Sequence, residues 1–433
     1  MEEKKEQNVA VLMVHGIGDH NPGDMLKGVV NGFQKLFDKI RSLKAEERLI
    51  EINTDIQRLD NDKELETFTL SANEETHSRE REYKKYSFFV DISAGQISKK
   101  INFTCLDVNW AHLFDPPTTM EFLRWLRLTA LGTLKNVNIC FPFSMVGHIF
   151  RAMQLIPIWF VSILPSLIFE KLCPSLFKKI FILVGGDIQV YGVNDTKARR
   201  IIDHLKDLLK YEVLKKMGTQ NNNSNKPNKL PVFTDVIIIS HSLGTVISYE
   251  CIAELCKGSG SQDKNEGFDI NKLTTLFTVG SPLDKFRYLW GTKKPNRFGP
   301  HVLVHKDLKW YNIFSYLDFV SAEIDLFSPG PDQFEVNNTI VPFIGHTMYW
   351  DNLKSMSYTF SRILDSLRTG KTDNEKLVNN YRQFLKKRKF KLELGRFSQI
   401  MVRAVRWSLE SVPVGGAVYG IYCLLKCFGV VAG

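Results

Sequence analysis

Apolar positions follow two rhythms along this chain. Residues 9–14 form a continuous apolar run of strand length, which suits a parallel strand buried on both faces. Residues 24–43 place Met25, Val29, Phe33, Leu36 and Ile40 on one helical face. The stretch 44–85 is rich in charge, with short alternations such as Phe68-Thr69-Leu70, and reads as a surface excursion with short antiparallel strands. Further strands are expected at 87–92 and 101–110. After residue 185 the globular rhythm resumes, with a helix over 195–216 carrying Ile201, Ile202, Leu205, Leu208 and Leu209. An asparagine-rich loop at 221–228 leads into the β-branched run Val236-Ile237-Ile238-Ile239. Apolar strand-length runs recur at 274–279 and 310–314, and a closing helix includes 358–367. Strand and helix therefore alternate in the order of a doubly wound, mostly parallel α/β sheet.

Two stretches depart from that rhythm. The segment 111–184 is strongly apolar, and 152–169 carries no charged residue, at the lower end of the length that crosses a bilayer. Pro157 and Pro165 interrupt it, which counts against a straight span, although membrane helices tolerate proline. Three readings stay open: a membrane-inserted helix or re-entrant hairpin, an apolar cap that docks on lipid without spanning, and an ordinary buried helical cap. The second departure is the tail, 371–433. Leu385-Lys386-Lys387-Arg388-Lys389-Phe390-Lys391 is basic, and Phe397, Ile400, Met401, Ala404, Val405 and Leu409 recur at helical spacing among Arg396, Arg403 and Arg406. This is the pattern of a basic amphipathic helix. Residues 412–433 carry one charge, Lys426, and read as a membrane segment or as an apolar helix packed on the core. The organisation expected is an α/β core in two parts, 1–110 and 185–370, split by the apolar helical insertion 111–184 and followed by the tail 371–433.

Composition narrows the partners. The 433 residues are 44% hydrophobic and 24% charged, ordinary for a folded chain with a large core. The formal net charge of +10 favours acidic partners, either nucleic acid or an anionic membrane surface. The chain has no zinc-ligand spacing, RNA-binding aromatic signature or arginine-rich arm, so the membrane surface is the partner expected and nucleic acid is not. Seven cysteines, an odd number with no C-x-x-C pair, suit reduced thiols in a cytosol-facing protein. Residues 1–8 are charged and lead straight into the first strand, without the apolar region of a signal peptide.

The chemistry concentrates at Ser240-His241-Ser242-Leu243-Gly244-Thr245, between the β-branched run and the helix-like 246–252. Strand, sharp turn and helix are the parts of a nucleophile elbow. The turn strains Ser242, so the residues two before and two after it must be small. Gly244 meets that need, and Ser240 stands where glycine is usual. The helix that follows brings a positive dipole end and free N–H groups beside the hydroxyl. The run 9–14 ends in His15-Gly16-Ile17-Gly18-Asp19, a turn that can aim backbone N–H groups at the same point. The expected oxyanion donors are Leu243 with Gly16 or Ile17.

A serine hydroxyl needs a base, and the base needs an acid to fix its tautomer. In serine, acid, histidine order, Asp318 follows the 310–314 strand and His346 lies downstream of it. Asp284, just after the preceding strand, is the main rival acid, with Asp325 and Asp332 behind it. His301 and His305 precede Asp318 and break the order, and His241 is expected to point away. Asp19 and His20 lie near the expected oxyanion hole, and two readings stay open for them, shaping that hole or a general structural role. No metal site is implied and no cofactor is needed.

The segments VLMVHGIGD at 11–19, IIISHSLGT at 237–245, TVGSPLD at 278–284, WYNIFSYLDFVS at 310–321 and GHTMYWDN at 345–352 together resemble the serine α/β-hydrolases of the lipase and esterase type. The first two and last two also resemble the intracellular DDHD-domain phospholipases, which cleave acyl chains from phospholipid at cytosolic membrane faces. The resemblance covers roughly 9–110 and 185–368, and leaves the insertion and tail unmatched. Phe319 stands where a proline often follows the acid. What the resemblance implies is an α/β-hydrolase fold and a membrane-associated ester hydrolase acting on lipid or phospholipid through Ser242, His346 and Asp318. A hydrolase fold serving as a membrane scaffold without turnover is the other expectation.

Overall fold

The structure of the protein is a computed structural model. It describes residues 7–16, 21–42, 50–61, 64–70, 81–94, 97–113, 190–216, 230–259, 268–290, 294, 297, 307–315, 318, 320–321, 323–338, 344–367 and 379–380. Nearly the whole of the insertion and tail lies outside them, including 152–169 and 412–433, as does the loop 221–228. All described residues belong to one compact unit, formed by Met1–Phe122 with Glu170–Phe390.

The described strands form one mixed sheet. They are β1 (Gln7–Val14), β2 (Glu51–Thr54), β3 (Glu66–Leu70), β4 (Arg81–Ala94), β5 (Ile97–Val108), β6 (Asp235–His241), β7 (Leu273–Val279), β8 (Lys309–Phe314) and β9 (Asp332–Glu335). Their order is β2-β4-β5-β1-β6-β7-β8-β9, with β3 also pairing β4. From β5 to β9 neighbouring strands are parallel, whereas β2, β3 and β5 each pair antiparallel to β4. The apolar runs explain this split. Every residue of β6 and β7 is buried, as parallel strands covered on both faces require. Strands β2 and β4 alternate buried with exposed or half-buried positions, the mark of a sheet with one wetter face.

Helices cover both faces of the parallel part. They are α1 (Asp24–Arg41), α2 (Asp195–Leu208), α3 (Leu243–Ser259), α4 (Leu283–Trp290), α5 (Ile344–Thr347) and α6 (Leu353–Ser366). One core joins Val29, Phe33 and Phe37 of α1 with Phe360 and Ile363 of α6, over Val11, Ile237, Ile239 and Val279 of the sheet. On alternate sheet positions, α3 packs over β1, β6 and β7 and against α2. Each Val, Ile or Leu fully buried in these layers contributes about 1.5–3 kcal/mol. Among the described residues the architecture is α/β with a mostly parallel sheet.

Several expected elements change, among them the strand expected at 101–110, which spans Ile97–Val108. The helix over 195–216 is regular only to Leu208, and a wider turn over Leu209–Val213 keeps both of those residues buried. The strand expected at 87–92 runs from Arg81 to Ala94, because the charged excursion before it folds back as β2 and β3. Strand β9 was not expected, since Asp332, Gln333 and Glu335 are exposed and break any apolar pattern. Among the described residues no helix is long and apolar enough to cross a membrane.

Candidate active site

Strand order alone marks where a site belongs. From β1 the chain moves to one side to reach β5, and it then returns to the other side for β6, β7, β8 and β9. Strand direction of growth reverses between β1 and β6, and a crevice opens at the carboxyl ends of strands at such a switch point. Gly16 follows β1 there, and Ser242 follows β6.

The two meet at van der Waals contact. A Cβ on Gly16 would overlap Ser242 Cβ and lie 3.1 Å from its Oγ. A Cβ on Gly244 would overlap the carbonyl oxygens of Val14 and His15. The elbow can therefore press against the end of β1 only with glycine at both positions. Ser242 itself has φ 52°, a left-handed conformation that costs a side-chain-bearing residue about 1–2 kcal/mol. Its N–H donates to Val279 O at 3.0 Å, which ties the strained turn to β7. Ser240 replaces the usual glycine without disturbance, because its hydroxyl is buried and donates to Phe277 O at 2.7 Å. Leu243 opens α3 and is fully buried, and its backbone N–H belongs to the first-turn donors that no helical carbonyl reaches.

His15 holds the end of β1. Its ring stacks on Trp110 with centroids 4.6 Å apart, and its Nε2 accepts the Trp110 N–H at 3.1 Å. That leaves Nδ1 as the donor to Gly16 O at 2.8 Å, which fixes the carbonyl orientation at Gly16. Ile17, Asp19 and His20 lie outside the described residues, as do His301 and His305.

The acid and base come from the next strand ends. Asp318 follows β8, and His346 sits on α5, which follows β9. His346 Nδ1 donates to Asp318 Oδ2 at 2.7 Å. The same oxygen accepts the Tyr349 hydroxyl at 2.8 Å, and Oδ1 accepts the Val320 N–H at 2.9 Å. Asp318 is 1% exposed. Burial alone would raise its pKa, but His346 and these hydrogen bonds outweigh that and hold the carboxyl below its ordinary range. Two of the rival acids, Asp284 and Asp332, are engaged elsewhere. Asp284 accepts the N–H groups of Asp325 and Leu326, and Asp332 lies 3.9 Å from Arg362.

Gly280, directly after β7, connects the two groups. A Cβ there would lie 3.1 Å from His346 Cε1, so the imidazole sits over the strand end beside the one carrying Ser242. His346 Nε2 and Ser242 Oγ are both buried, and among the described residues neither has a hydrogen-bond partner. A buried polar atom without a partner costs about 1–3 kcal/mol, and these two lie at the carboxyl ends of the neighbouring strands β6 and β7, where another molecule could pair with them.

One expectation is corrected. His241 does not point away: its ring lies 4.6 Å from that of His346, and its Nε2 hydrogen-bonds His346 O at 2.8 Å. Strand alternation is the cause, since Ile237, Ile239 and His241 share the α1 and α6 face on which the His346 turn packs. Tyr349 was also missed, although its place three residues after His346 was a readable signal. Among the described residues no cluster of His, Cys, Asp and Glu is placed to hold a metal ion. Comparison of the chain with protein-family models, curated proteins and solved structures found no match.

Proposed function

We propose that the protein is a serine hydrolase of α/β-hydrolase fold that cleaves carboxylic esters of lipids or phospholipids at a cytosol-facing membrane surface. One observation carries the reading. The Asp318–His346 hydrogen bond leaves a buried Nε2, unpartnered among the described residues, at the carboxyl end of the sheet, where a left-handed Ser242 also holds its hydroxyl unpartnered. In the reaction, Ser242 Oγ attacks the ester carbonyl and His346 Nε2 takes its proton. Asp318 holds the tautomer and stabilises the imidazolium. The backbone N–H of Leu243 and one from Gly16 or Ile17 stabilise the oxyanion. His346 then protonates the leaving alcohol, and water, activated by the same imidazole, releases the acid. Ser242 and His346 are not hydrogen-bonded to each other in this structure, and such bonds often tighten only in the substrate complex.

The lipid surface is supported by the +10 charge, the basic cluster at 385–391 and the apolar stretches 152–169 and 412–433. A basic side chain beside an anionic lipid surface contributes about 1 kcal/mol. Labelling by a fluorophosphonate probe, in membrane and soluble fractions, tests the enzyme reading. Wild type is expected to label and Ser242→Ala is not, with ester turnover lost in the variant. Equal labelling or turnover would sink the assignment, and an unlabelled wild type would favour a scaffold without turnover. Short-chain soluble esters against phospholipid vesicles test the substrate: no gain with vesicles removes the lipid claim.

A further inference from the structure

Asp318 Oδ2 serves two donors from one turn of chain, His346 and the residue three positions later. A carboxylate oxygen has two lone pairs, so both bonds form together. Tyr349 is fully buried, and its phenol oxygen is also reached by the Ser321 side chain and the Ser315 backbone. Its ring edge lies over Gly280 next to the imidazole, where a Cβ on that glycine would be 3.1 Å from Tyr349 Cε2. On the reading of the site as an ester hydrolase, we infer that Tyr349 is a positioning residue that holds Asp318 jointly with His346 and limits how strongly the carboxylate draws a proton onto the imidazole.

The argument is electrostatic. A hydrogen-bond donor to the charged form of an acid makes that anion a weaker base. Burial, and then the Asp318 charge, push the Tyr349 phenol well above its ordinary range, so it stays a donor at every working pH. Asp318 thus divides its charge between a donor that never ionises and an imidazole that must gain and then release a proton. Too strong a pull would leave His346 protonated, unable to accept the serine proton. Among the described residues, the other titratable side chain against the His346 ring is His241, from β6, which meets the ring face and the backbone carbonyl and leaves Nδ1 to Asp318.

Tyr349→Phe keeps the ring and removes the donor. With the carboxylate charge no longer shared, the imidazolium is favoured and the acid limb of the pH–rate profile on a soluble ester moves to higher pH. The shift expected is about half a unit or more, with KM within about twofold because the residue does not touch substrate. An imidazole titration by NMR on full-length, nitrogen-15 histidine-labelled protein reads the same shift without turnover. His346 is assigned there from the signal lost in His346→Gln. The shift is expected to vanish when Tyr349→Phe is combined with Asp318→Asn, because the two act through one carboxylate. A 3-fluorotyrosine at 349, a stronger donor, is expected to move the midpoint the opposite way, and this arm stands if the phenylalanine variant does not fold. A midpoint that stays put or moves down in Tyr349→Phe overturns the inference. Absent ester turnover with the NMR shift intact would instead count against the hydrolase reading alone.

Discussion

On the β1 side of the site, Gly16, Ser242 and Gly244 meet by shape, whereas on the β8 side Asp318, His346 and Tyr349 meet by charge. The first group tolerates no added atom, since a Cβ on either glycine overlaps the backbone or side chain opposite. The second group has room for its side chains but depends on which of them are ionised and which donate. Substitutions on the shape side should therefore register first in stability. Those on the charge side should register first in rate and its pH dependence.

The largest effect is expected on the charge side. Asp318→Asn keeps the size of the side chain and an acceptor for Val320 N–H, so the fold should persist. The carboxamide cannot stabilise the imidazolium and favours the wrong tautomer, which lowers kcat on a soluble ester by about 10³–10⁴-fold. A variant that unfolds, or turns over within about tenfold of wild type, would break the comparison. On the shape side, Gly244→Ala drives a methyl group into the carbonyls of Val14 and His15, at and just past the end of a central strand. Such overpacking costs about 3 kcal/mol, read as a lower urea midpoint. Full stability in this variant would mean that β1 and the elbow are not in the tight contact described.

The same contrast explains what the sequence could disclose. The shape side is written in contiguous residues, His15-Gly16 and Ser240 to Thr245, because a steric demand falls on near neighbours in the chain. The charge side is assembled from residues after β8 and β9, and chain order, the strand before Asp318 and the resemblance of 310–321 and 345–352 pointed to Asp318 and His346. The His241 orientation followed from β6 alternation, which was legible. What it packs against was not, because that depends on where the turn after β9 returns. Strand β9 itself left no apolar signature, since it is short and mostly exposed.

Asp107 puts a carboxyl on the shape side and so sharpens the division. It lies near the end of β5, 2% exposed, with Oδ2 accepting the Gly23 N–H at 2.8 Å at the start of α1 and Oδ1 without a partner. Burial raises its pKa to about 7, and the nearby Asp24 adds to this, while the Gly23 N–H and Lys27 oppose it. An unfolded aspartate titrates near about 3.9, so the folded state holds the proton more tightly. The stabilisation this gives is fully present below about pH 4 and is lost as pH rises through about 7. Asp107→Asn stays neutral throughout and keeps an acceptor for Gly23. Its unfolding free energy in urea should therefore hold steady from pH 4 to 8 relative to wild type, which is expected to fall behind by up to about 4 kcal/mol at pH 8. The acid limb of the rate profile should stay where it is, because Asp107 makes no contact with Asp318 or His346. Parallel stability curves would show that Asp107 is ionised and solvated in the folded protein. A displaced acid limb would show that charge on the β1 side reaches the base after all, and the separation of shape from charge would not hold.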